Sequence, residues 1–83
     1  MNKVLVELHI PTIGEHFDIL APVDVPLDGL ITVLVSGVVE VSNGKYVASG
    51  SEQLCTKSPE GRMDPLLTLQ DYGIQDGTQL YLV

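Results

Sequence analysis

The stretch "LDGLITVLVSGVVEV", residues 27–41, decides the class of fold open to this chain. Six of its residues are valine or isoleucine, whose branched side chains favour strands, and Ser36-Gly37 could serve as the turn of a hairpin. The polar positions argue the other way. Asp28, Thr32, Ser36 and Glu40 recur every fourth residue, which places them in one stripe on a helix. Leu27, Leu30, Ile31, Leu34, Val38 and Val41 then lie on the other side. Pro26 suits the first helical position, and Asp28 suits the first turn, where the helix dipole favours negative charge. Asn43-Gly44 can supply a left-handed stop. Period outweighs propensity, so a helix is expected here, with a hairpin as the alternative.

The flanking segments read as strands. In "KVLVELHI", residues 3–10, Val4, Val6, Leu8 and Ile10 alternate with Leu5, Glu7 and His9, the mark of a half-buried strand. Turn punctuation follows at Pro11 and Gly14, and "FDIL" begins a second strand with Phe17 and Ile19 on one face. The two form an N-terminal hairpin. "LCTK" (54–57) reads as a short third strand, "SPEGRMDP" (58–65) as turn-rich, and Leu66, Leu67 and Leu69 lead into the compact turn "QDYGIQDGT". "QLYLV" alternates again, with Leu80 and Leu82 inward and Tyr81 and Val83 outward. The expected order is β-β-α-β-(β)-β.

Size and charge bound the function. The 83 residues make a single domain, residues 1–83, that buries roughly 60–65% of its unfolded surface. Four Lys and Arg against eleven Asp and Glu give a net charge of −7. Lys3, Lys45, Lys57 and Arg62 are too few and too scattered to follow a phosphate backbone, so no nucleic acid or anionic membrane surface is expected as a partner. Asp28 and Glu40 bracket the longest apolar run, so no membrane-spanning segment is expected. The N-terminal residues lack the form of a signal peptide, and a cytoplasmic location is the expectation. Cys55 is the sole cysteine, which excludes an internal disulfide.

The closing stretch "TLQDYGIQDGTQLYLV" resembles the last turn and strand of ubiquitin, which run Thr-Leu-x-Asp-Tyr-x-Ile-Gln and then Leu-x-Leu-Val. The matching positions are Thr68, Leu69, Asp71, Tyr72, Ile74, Gln75, Leu80, Leu82 and Val83. "FDILAPVDVPLDGLITVLV" is similar to the YukD/EsaB-like proteins, bacterial ubiquitin-fold proteins encoded beside type VII secretion systems. The likeness lies in Phe17-Asp18, Pro26 and Leu30-Ile31. The resemblance implies an α+β, ubiquitin-like β-grasp fold: a four- to five-stranded mixed sheet packed on one helix. It also favours the helix over the hairpin for residues 27–41.

Function follows from the same resemblance. Ubiquitin and the sulfur carriers of this fold react through a flexible tail ending Gly-Gly. Here Val83 falls within the expected last strand, and no two glycines adjoin. A non-conjugated binding module is therefore expected, as an accessory or regulatory component of a type VII secretion system. A modifier or sulfur carrier is the alternative. The expected partner is a protein such as a secretion-system ATPase or membrane component, and a homo-oligomer through the edge strand near residues 17–22 is compatible with the pattern.

No catalytic or cofactor site is expected. No nucleophile signature surrounds Cys55, which reads as a semi-buried strand residue. His16 reads as a solvated turn residue and His9 as an outward strand position, a poor start for a metal site. The glycines are spread singly and form no phosphate-binding loop. The patch that partners read on ubiquitin, carried over by position, falls at Ile13, Cys55, Tyr81 and Val83. A bulky apolar side chain at Ile13, among turn residues, gains little from folding and so suits a contact; the competing reading is that Ile13 covers the open end of the hairpin and Tyr81 caps sheet-edge atoms. The helix stripe of Asp28, Thr32, Ser36 and Glu40 is a second surface, most simply a solvated face.

Overall fold

The computed structural model describes residues 2–56 and 61–83. Strands β1 (Lys3–Ile10) and β2 (Glu15–Pro22) come first, then helix α1 (Leu27–Val41), a short β3 (Leu54–Cys55) and β4 (Thr78–Leu82). They form a mixed sheet in the order β2-β1-β4-β3, with β1 and β4 parallel at its centre and both outer pairings antiparallel. This is the β-grasp architecture expected from the sequence.

Alternation puts the core on one face. Val4, Val6, Leu8 and Ile10 of β1 are buried, and their cross-strand partners Ala21, Ile19 and Phe17 on β2 face the same way. Leu80 and Leu82 of β4 and Leu54 of β3 complete the inner surface. The helix lays Leu27, Leu30, Leu34 and Val38 onto it, while Asp28, Thr32, Ser36 and Glu40 all stay exposed. Each buried leucine contributes about 1.5–3 kcal/mol of transfer free energy, which outweighs the β-propensity of the helix's valines.

The helix starts one residue later than the sequence suggests. Pro26 is the N-cap, with ψ 140°, rather than the first helical residue. No side chain caps this end. Instead the N–H groups of Leu27 and Asp28 donate to the carbonyls of Leu67 (2.8 Å) and Pro65 (3.0 Å), so a distant loop satisfies the helix's orphan donors. At the other end Asn43 (φ 54°) and Gly44 (φ 80°) turn left-handed as expected, and the Gly44 N–H closes onto Val39 O.

The ubiquitin-like closing motif has a physical purpose here. The Thr68 N–H donates to Asp71 Oδ2 and the Asp71 N–H to Thr68 Oγ1, a reciprocal cap on one tight turn. That turn drives Leu69 fully into the core, while the Asp64 N–H donates to the Tyr72 hydroxyl. Motif and helix N-terminus are thereby fastened together through residues 64–67.

Two strands differ in extent from the sequence reading. The third strand covers only Leu54–Cys55, and its expected end at Lys57 lies outside the described residues, as do Ser58 and Pro59 of the expected turn. Among the described residues the sheet has four strands. In place of a fifth, a bridge pairs Cys55 with Arg62, held by Met63 N–H to Leu54 O. The second strand is longer than "FDIL" and begins at Glu15, because a four-residue turn at 11–14 leaves Ile10 opposite Glu15.

Candidate functional site

Residues that a strand turns away from the core make up the sheet's second face, and register decides which of them meet. The turn length sets His9 opposite His16, the parallel pairing sets His9 beside Tyr81, and the antiparallel β3 sets Tyr81 beside Cys55. One transverse row, His16–His9–Tyr81–Cys55, therefore crosses all four strands. The rings stack: His9 lies 5.1 Å from His16 and 5.0 Å from Tyr81, centroid to centroid, at 25° and 29°. Offset contacts of this kind are worth about 0.5–1.5 kcal/mol each beyond the area they bury.

The next row down is acidic and polar, with Glu7 opposite Asp18 and beside Gln79. Glu7 Oε2 sits 2.5 Å from His9 Nε2. This contact helps to hold the His9 ring in the stack. Below that, Leu5 and Leu20 pair, 44% and 59% exposed. The face thus carries aromatic, acidic and aliphatic bands in sequence.

The four sequence-expected patch residues do not contribute equally. Tyr81 stands half-buried at the centre of the row. Val83 follows it on the same face, 41% exposed, with its N–H and C=O both bonded to Gln53 (2.9 and 2.7 Å). Cys55 shares the row but is only 1% exposed, so it supports Tyr81 and presents almost no surface of its own. Ile13 sits in the β1–β2 turn, where it packs partly buried against the core. Tyr81 and Val83 form the accessible pair. His16, expected in a turn, is instead a β2 residue, and its stacking on His9 was readable only after the turn length fixed the register.

The arrangement also bears on chemistry. Tyr81 stands between Cys55 and His9, each of which pairs with it from the opposite side, so thiol and imidazole are not neighbours. Among the described residues, no group of three His, Cys, Asp or Glu side chains is placed to hold a metal ion. No helix among them is long and apolar enough to cross a membrane.

Away from the sheet face, Glu52 organises the loop after the helix. Its carboxylate accepts from the N–H groups of Ser49 (2.7 Å) and Gly50 (3.1 Å) and from the Tyr46 hydroxyl (2.9 Å). The Ser49 N–H foremost holds the Glu52 carboxyl below the ordinary carboxylate value. Burial of the Tyr46 ring, with Glu52 beside it, pushes that phenol up to about 12.

No family model matches the sequence, and no curated protein does. Solved structures do. The ubiquitin-like domain of the Mycobacterium tuberculosis type VII secretion protein EccD1 superposes with a TM-score of 0.81 at 24% identity, over 100% of this chain and 99% of that one. The EccD5 ubiquitin-like domain of Mycobacterium xenopi gives 0.71 at 19% identity, over 100% and 94%. A chain of the MycP5-free ESX-5 inner membrane complex gives 0.70 at 20%, with all of this chain matching 21% of that longer one. The chain has the ubiquitin-like β-grasp fold and is similar in structure over its whole length to ubiquitin-like domains of type VII secretion proteins.

Proposed function

We propose that this protein is a non-conjugated ubiquitin-fold binding module, an accessory or regulatory component of a type VII secretion system in the bacterial cytoplasm. The observation that carries the binding role is the outer sheet face, where a stacked His16–His9–Tyr81 row lies between exposed apolar residues and an acidic band. The full-length likeness to EccD ubiquitin-like domains supports the secretion context, and the match within an inner membrane complex supports a partner that is a membrane component or secretion ATPase.

The mechanism is docking of the face around Tyr81 and Val83, with Ile13 at the hairpin end of the same sheet. Tyr81 offers a large ring at low entropic cost and the neighbouring carboxylates set orientation. The test is capture of secretion-system components by tagged protein. Tyr81→Ala and Ile13→Asp should each reduce recovery by about tenfold while the far-UV CD spectrum stays unchanged. Undiminished recovery with both variants removes this face from the account.

A further inference from the structure

The same short pattern occurs twice on the outer sheet face. On β1, Glu7 stands two residues before His9; on β2, Asp18 stands two residues after His16. Alternation turns all four side chains away from the core, and the antiparallel register sets Glu7 opposite Asp18 and His9 opposite His16. Two acids and two imidazoles therefore occupy the corners of one cross-strand square.

The square is used unevenly. His9 Nε2 contacts Glu7 Oε2 at 2.5 Å, and the His16 ring stacks on His9 at 5.1 Å. Asp18 stays exposed, and among the described residues neither His16 nor Asp18 has a side-chain hydrogen bond or an ion pair. The first strand has made its acid–histidine contact and the second has not. Other charges lie off the square or are engaged. Lys3 precedes Glu7 by four residues, Tyr81 flanks His9 on β4, and Cys55 and Arg62 follow beyond Tyr81. Glu15 faces the other way and is matched by Lys45 at 3.0 Å.

Protons change this balance. Imidazoles take up their proton between about pH 8 and 5. A stack suits neutral rings, or one charged ring on a neutral one, but two cations at 5.1 Å repel by about 1–3 kcal/mol. Two carboxylates directly opposite each other across the strands, as Glu7 and Asp18 are, also oppose each other. A second acid–histidine contact, His16 to Asp18, relieves both at once. It matches the first in spacing and needs only a turn of the exposed His16 side chain.

We propose that this square is a proton-operated switch on the outer face. With both histidines neutral, His16, His9 and Tyr81 form one stack beside an acidic band. With both charged, His16 leaves the stack for Asp18, His9 stays between Glu7 and Tyr81, where a cation on the ring is favoured, and the band's two negative charges are offset. A basic partner docked around Tyr81 would then be released on acidification. That role rests on the docking proposed above; the rearrangement itself does not.

The test uses the protein alone, followed by NMR from about pH 8 to 5. At the upper end, nuclear Overhauser contacts should join the His16 and His9 rings. On acidification these should disappear while the contacts between His9 and Tyr81 persist and the amide shifts of the core strands stay native. Asp18→Asn, which keeps the shape and removes the charge, should move the midpoint of the loss to lower pH by about half a unit. Three results would overturn the switch: ring contacts that survive at the acid end, a midpoint that Asp18→Asn leaves in place, or a loss that coincides with loss of the native core shifts. Because no partner enters the test, its failure strikes the switch and leaves the docking reading standing.

Discussion

Glu52 and Tyr46 show how single side chains set the pH limits of this fold. Glu52 is depressed, so the folded state binds its proton more weakly than the unfolded chain. Its contribution is complete above the ordinary value of 4.5 and is lost as pH falls through the depressed value. Tyr46 is raised, so its sign is opposite: its contribution is complete below 10.0 and disappears as pH climbs towards about 12. Stability measured by urea unfolding should therefore decline between pH 10.0 and about 12, and Tyr46→Phe should remove that decline from the curve. Glu52→Gln retains the shape but loses the charge that strengthens three hydrogen bonds, and should destabilise the loop by about 1 kcal/mol in the same assay at neutral pH. An unchanged midpoint for Glu52→Gln would show that the loop stands without its carboxylate.

At the scale of elements, the helix and the central strands should respond in opposite directions. Leu80→Ala, on a fully buried position of β4, should cost about 2–5 kcal/mol by leaving a cavity against β1 and α1. Gly37→Ala should instead stabilise the protein by about 0.5–1 kcal/mol, since the added methyl has open space and the helix gains propensity. Chemical unfolding of both variants checks the pair. These elements were legible from the chain because their periods differ: two for β1 and β4, and a four-residue polar recurrence for α1. What was not legible depended on long-range pairing. The N-cap of α1 is supplied by carbonyls of Pro65 and Leu67, and no local signal names them. The third strand shrinks to Leu54–Cys55, too short to carry a period. Of the site, Tyr81 and Val83 were readable as outward positions of an alternating strand. The stacking of His9 between His16 and Tyr81 was not, because it needs two registers at once. Val41, read from the sequence as core-facing, is 59% exposed for a related reason: it sits on the apolar side of the helical wheel, and only the position of the sheet's edge shows that this flank is left uncovered.

At the scale of the whole molecule, a β-grasp scaffold carries the proposed binding role. The sheet's outer face carries an aromatic row that crosses all four strands, and Tyr81 in its middle keeps the Cys55 thiol and the His9 imidazole apart. The likeness to EccD ubiquitin-like domains is a likeness of fold over the whole chain. The measurement that tests the binding role most directly is affinity capture of the tagged protein from its native cells, with intact-mass spectrometry on everything that elutes. Under the binding reading the protein returns at its unmodified mass together with secretion-system components. A ladder of covalent adducts through its terminal carboxylate would contradict it and make this protein a modifier.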